Sequence, residues 1–230
     1  MRHSVTGFAE RVLYGETVQD KLAAWPQVDV RGAQVARTPC EPGRPASLAL
    51  PRDHRRLPSV FKADLQRDDG RARVLHELFN HELQAIELLA VALLRWPDAP
   101  AGFRRALVAT LRDEQQHASL YLERLRACGE ELGVVPVSTY FWDTLHAAPT
   151  PAAFVAGLSL CFEQANLDFC LTWRERFARA GDAATAEVLT TVYEDEIRHV
   201  ATGLVWFSRW TEGDRLQAWE RELLPPPTPA

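Results

Sequence analysis

The chain lacks what several common classes require. Its four cysteines, Cys40, Cys128, Cys161 and Cys170, form no CxxC pair. That excludes a rubredoxin-like cysteine set and, with no secretory signal visible, points to reduced thiols in a cytoplasmic protein. Basic charge is not in excess: 26 Lys and Arg stand against 31 Asp and Glu, a net charge of −5, which speaks against nucleic-acid binding. No apolar run is long enough to span a bilayer; Phe154–Phe162 is among the longest. The N-terminal MRHSVTGFAERV has no apolar leader core. No nucleotide-binding signature is found.

What remains is a globular composition, 47% apolar and 25% charged over 230 residues, ample for a core without covalent staples. The chain divides into three parts. Residues 1–69 hold one or two short amphipathic helices, marked by Phe8, Val12, Leu13, Val18, Leu22 and Trp25, followed by a proline-rich arm expected to lie on the body. Residues 70–212 read as four long helices, and residues 213–230 as a short helix with a proline-rich tail.

In the middle part prolines and glycines sit at the joints. The first helix is expected from Gly70 to Trp96. The second follows a cap at Asp98 and runs to Cys128, with Gly129 as its stop. A longer connection precedes the third, from Pro151 to Ala180, which Gly181 ends. Asp182 caps the fourth, which runs to Trp210. Strand patterns do not compete. The fold class is therefore all-α: a four-helix bundle with two tight hairpins and one longer crossover.

Two motifs carry chemistry, Glu114-Gln-Gln-His117 and Glu196-Ile-Arg-His199, each preceded by an aspartate, Asp113 and Asp195. On a helix, positions i and i+3 share a face, so a carboxylate and an imidazole can grip one ion. Composition alone would give about half of one such motif, so the pair by itself is weak. Its phase strengthens it. Glu114 and His117 lie in the apolar stripe of Phe103, Leu107, Leu111, Tyr121 and Leu125; Glu196 and His199 interrupt that of Leu189, Val192, Gly203 and Trp206. Glu82 and Glu163 interrupt the stripes of the other two helices.

The spacing agrees. Glu82 and Glu114 are 32 residues apart about the first joint, Glu163 and Glu196 are 33 apart about the second. Facing residues of an antiparallel hairpin are equally far from its turn, so all four glutamates fall at one depth. Glu87 is the alternative on the first helix. Four glutamates and two histidines in one core form a dinuclear metal pattern of the di-iron carboxylate kind. Glu114 and Glu196 would bridge, Glu82 and Glu163 would bind terminally, and His117 and His199 would each hold one ion. The mixed oxygen and nitrogen donors suit two iron ions, with manganese or a mixed pair also open. Asp113 and Asp195 are candidates to orient a histidine of a neighbouring helix. A bundle with buried ion pairs and no metal is the bland alternative, and six such groups would be costly to bury without a cation.

The segments HELQAIELLAVALLRWPDAP, LRDEQQHASLYLERL, SLCFEQANLD and VYEDEIRHVATGLVWFSRW resemble the ferritin-like superfamily, and more narrowly an uncharacterised bacterial branch of it, a domain of unknown function. The resemblance covers about residues 70–210. It implies a carboxylate-bridged di-iron centre that reacts with dioxygen or peroxide, and leaves the reaction open, since relatives include rubrerythrins, bacterioferritins, reductase subunits, a tRNA hydroxylase and oxygenases. An oxidase or hydroxylase acting on a small molecule, supplied with electrons by a separate reductase, is the leading expectation. A ferroxidase or iron-handling protein, a tRNA-modifying hydroxylase and a non-catalytic module are the rivals. Tyr121 and Tyr193 are candidate groups beside the metals. Asn166 and Cys170 are placed on the substrate side, and His81 away from the site. Leu88 and Val91, taken as exposed, make a homodimer plausible. Arg52, His54, Arg55 and Arg56 form a basic cluster in the arm.

Overall fold

The structure, a computed structural model, describes residues 3–25, 27–31, 35–39, 41–51 and 59–225. Cys40 and the cluster of Arg52, His54, Arg55 and Arg56 lie outside the described residues.

Helix α1 (Val5–Tyr14) starts where the Ser4 hydroxyl accepts the Gly7 N–H, and buries Val5, Phe8, Ala9, Val12 and Leu13 on one face. Helix α2 (Val18–Leu22) is capped in the same way by Thr17. No strand is expected from the sequence, yet two residues, His3–Ser4 (β1), pair in parallel with Val28–Asp29 (β2). The pair is too short to show a strand period. The described part of the arm does lie on the body. Val30 and Leu48 are buried, the Arg37 N–H donates to Leu94 O at 3.0 Å, and Arg44 reaches Glu87.

Helix α3 (Asp68–Arg95) pairs with α4 (Ala101–Ala127), and the connection after α4 contains a short helix, α5 (Tyr140–Leu145). Helix α4 begins after Pro100, not at an Asp98 cap. The residue preceding a proline is kept out of the helical region, so Ala99 cannot be the first turn. The expected third helix is α6 (Pro151–Gly157), a π-helical stretch Leu158–Glu163 and α7 (Gln164–Arg179). Helix α8 (Ala183–Trp210) packs on α7, α4, α6 and the π-helical stretch, and α9 (Arg215–Glu222) on α6. Gly129 and Gly181 have φ of 78° and 82°, the left-handed geometry expected of helix stops.

The result is an all-α bundle with the N-terminal helices packed outside it. That placement overturns one expectation. Leu88 and Val91 are 0% and 1% exposed, because α1 and the arm pack on α3, and every residue from Glu82 to Leu94 is buried. The apolar face expected to serve a dimer is interior surface. No described helix is long and apolar enough to cross a membrane.

Candidate metal centre

The six predicted ligands converge. Glu82 comes from α3, Glu114 and His117 from α4, Glu163 from the end of the π-helical stretch, and Glu196 and His199 from α8; none is more than 4% exposed. They form two overlapping groups whose possible ligand atoms all lie within 4.8 Å of one another. One is Glu82, Glu114, His117 and Glu196, the other Glu114, Glu163, Glu196 and His199. Glu114 and Glu196 belong to both, as the bridging role requires.

Local structure explains the aim of each side chain. The i, i+3 spacing places His117 Nδ1 3.2 Å from Glu114 Oε2 and His199 Nδ1 3.4 Å from Glu196 Oε2. His199 Nδ1 is also 3.3 Å from Glu114 Oε1, across the α4–α8 seam. Gly203 lets that seam close on α6 and the π-helical stretch: a Cβ there would overlap Ser159. A π-helical turn holds one more residue than an α-turn and recurs at functional sites. Here its last residue is Glu163.

The histidines are held from behind by aspartates of the opposite helix. His117 Nε2 lies 3.0 Å from Asp195 Oδ2, and His199 Nε2 3.1 Å from Asp113 Oδ2. An imidazole donating Nε2–H to a carboxylate presents its Nδ1 lone pair to the centre. Arg198 clamps this outer layer, paired with Asp195 and with its Nη2 3.8 Å from Asp113 Oδ2. The Asn166 amide donates to Glu196 Oε1 at 2.7 Å and fixes the angle of that carboxylate. The sequence had placed Asn166 only near the site, and its spacing from Glu163 carries no sign of this bond. The clamp by Arg198 was also missed, since a charged residue on a solvated helix face is unremarkable in sequence.

The other candidates separate. Tyr121 is fully buried, its hydroxyl makes no hydrogen bond among the described residues, and burial followed by the charges of Cys170, Glu82, Glu196 and Glu114 pushes its pKa well up. Burial, with Glu196 next, likewise raises the Cys170 thiol. Tyr193 packs part-buried against the core and, among the described residues, makes no hydrogen bond or ion pair with the cluster. Glu87, the alternative to Glu82, is spoken for elsewhere: Arg44 and Lys21 hold it at 2.6 and 3.1 Å. His81 turns away, 3.2 Å from Glu77 and stacked on Phe141.

The electrostatics are those of a site short of positive charge. Burial and the charge of Glu196 push Glu163 up to about 8. Burial and Glu114 hold Glu82 well above the usual carboxylate range. Burial also pushes at Glu114, but hydrogen bonds from His117 and His199 outweigh it and hold Glu114 low. Burial opposes charge on both imidazoles, yet the carboxylates around them raise both pKa values. Among the described residues, several polar atoms are buried without a hydrogen bond, including Glu114 Oε1, both oxygens of Glu163, Glu196 Oε2 and His199 Nδ1. Such orphans are rare in folded proteins. Elsewhere the same holds of His76 Nδ1, Arg104 Nε and Nη1 and the Tyr121 hydroxyl, but these five atoms all belong to the predicted ligands. Two divalent cations would satisfy them and cancel the four carboxylate charges, so the residues fit the metals the pattern implies.

A small cavity of about 20 Å³ adjoins the cluster, bordered by Glu163 and His199 and walled by apolar side chains.

The family described as "Protein of unknown function (DUF455)" matches residues 9–224. An "Uncharacterized protein" of Haemophilus influenzae (strain ATCC 51907 / DSM 11121 / KW20 / Rd) is 26% identical over 197 residues, covering 82% of this chain and 60% of that protein. The chain thus spans about 60% of the length of the curated relative it matches. No solved structure matches the chain.

Proposed function

We propose, for a chain that belongs to the DUF455 family of proteins of unknown function, that it is a ferritin-like dinuclear metalloprotein, holding iron, manganese or one of each, that activates dioxygen or peroxide as an oxidase or hydroxylase. The observation that carries this reading is the pair of four-residue groups sharing Glu114 and Glu196. Glu82 and His117 would complete one metal position, Glu163 and His199 the other. When bound, the metals supply the redox chemistry toward dioxygen or peroxide. The protein's own part is positional. Asp195 and Asp113 hold the histidine rings, Asn166 holds Glu196, and the Tyr121 hydroxyl lies buried within the field of the carboxylates. The apolar surroundings exclude bulk water. Electrons for a hydroxylation would come from a separate reductase, because the chain carries no nucleotide-binding signature.

A second reading, metal oxidation or peroxide removal with no organic substrate, is favoured by one observation. The cavity beside the cluster, about 20 Å³, matches a diatomic or linear triatomic molecule in size rather than an organic substrate. Modification of tRNA has less support, given the net charge of −5.

Elemental analysis after expression with iron and manganese tests the proposal. About two transition-metal ions per wild-type chain are expected, lost in the Glu114→Ala, Glu196→Ala double variant. A wild-type protein that takes up none would end the metal reading and leave a polar-cored bundle. With metals in place, oxygen consumption that continues with ferrous iron alone would favour the second reading.

A further inference from the structure

The two metal positions differ in what can reach them. The cavity beside the cluster is bordered by Glu163 and His199, the two residues found only in the second group. Among the described residues, neither Glu82 nor His117 lines it. Its walls are Leu89, Leu107, Phe154, Val155 and Leu158, with the polar Ser159 among them, all buried. Its outer lip is made by Ala106, Thr110, Thr202 and Trp206 on α4 and α8, each only part-buried. Trp206 is braced edge-on against Phe103, with ring centres 5.5 Å apart. The space therefore leads from the α4–α8 surface to one end of the cluster.

Size and polarity choose the occupant. A volume of about 20 Å³ exceeds the roughly 10–15 Å³ that one water needs and stops short of an organic molecule. Most of the lining is apolar, which favours an apolar gas, while Ser159, Glu163 and His199 make its polar end. We propose that this cavity is an entry pocket for dioxygen and serves the Glu163–His199 position alone. The two halves of the centre are then unequal. A diatomic or linear triatomic ligand reaches one half, and the half of Glu82 and His117 is closed by packing. This rests on the dinuclear reading above.

The test uses the full-length protein and two probes. Xenon is applied under pressure to crystals of the metal-free protein, and azide is titrated into the ferric protein and followed by its charge-transfer absorption. The variants are Ala106→Trp and Thr202→Leu, both at the part-exposed lip, so that one survives if the other misfolds. The expected result is xenon between Leu107 and Phe154, and one azide per pair of metals. The variants lose the xenon and bind azide at least about tenfold more weakly, with metal content unchanged. Wild-type protein with two metals but no xenon in the cavity overturns the inference and spares the dinuclear reading. So does unchanged azide affinity in a variant that has lost its xenon. Xenon in the cavity of a protein that takes up no metal overturns both, and metal analysis identifies that case.

Discussion

His117 on α4 is held through Nε2 by Asp195 on α8, 3.0 Å away, while its Nδ1 faces Glu114 at 3.2 Å. The reciprocal contact, from Asp113 on α4 to His199 on α8, makes the seam between the two helices part of the site. Each helix supplies its own Glu-x-x-His and the support of the other's histidine. Replacing Asp195 by Asn should free the imidazole to take either tautomer. Metal affinity should fall about 10–100-fold, measured by competition with a chelator, with little change in thermal stability. Affinity equal to wild type would show that the contact does not orient the ligand.

Glu163 gives the opposite kind of prediction. Both its oxygens are buried without a hydrogen bond among the described residues, and burial with the neighbouring Glu196 charge pushes it up to about 8. A side chain kept against its own electrostatic cost is kept for a ligand. Glu163→Leu should therefore stabilise the metal-free protein, by about 1–3 kcal/mol, while abolishing the rise in Tm on adding ferrous iron. A lower Tm for the metal-free variant than for metal-free wild type would mean that Glu163 supports the fold by itself.

This conflict between burial and charge is also why the site could be read from the sequence. Glu82, Glu114, Glu163 and Glu196 each break an apolar stripe, and their matched distances from the two hairpin joints fix them at one depth. The helix stops at Gly129 and Gly181 were legible for a local reason, since a positive φ favours glycine. What was not legible depends on tertiary contact. The π-helical turn before Glu163 has no period of its own in the sequence. The burial of Leu88 and Val91 depends on a segment more than 70 residues earlier folding back over α3. Glu87 differs from Glu82 through Arg44 and Lys21, which no helical spacing connects to it.

That ion cluster makes a third prediction. Glu87 is fully buried between Lys21 and Arg44, which join α2 and the arm to α3. Removing the single anion leaves two cations in the interior. Glu87→Ala should cost about 3–5 kcal/mol in denaturant unfolding and expose the arm to limited proteolysis. Metal content per folded chain should stay at the wild-type level, which separates Glu87 from Glu82. Loss of metal in a folded Glu87→Ala protein would instead return Glu87 to the ligand set.

The last prediction concerns acid. Asp182 caps α8: its Oδ1 accepts the Thr185 N–H at 3.0 Å, its Oδ2 accepts the Thr185 hydroxyl at 2.7 Å, and Arg124 lies 3.2 Å away. Burial raises its pKa, but the hydrogen bonds from Thr185 and the charge of Arg124 outweigh that and leave it below the ordinary 3.8. A carboxyl more acidic in the folded chain than in the unfolded one stabilises the fold fully above the unfolded pKa, and loses that contribution as pH falls through the folded value. Asp182→Asn keeps an oxygen for the Thr185 N–H and removes the charge together with the acceptor of the Thr185 hydroxyl. The variant should be less stable than wild type at neutral pH, and the gap should close below 3.8, read from urea midpoints across the acid range. A gap that stayed constant down to about pH 2 would show that the cap acts by shape alone, with no part for the ionised carboxylate.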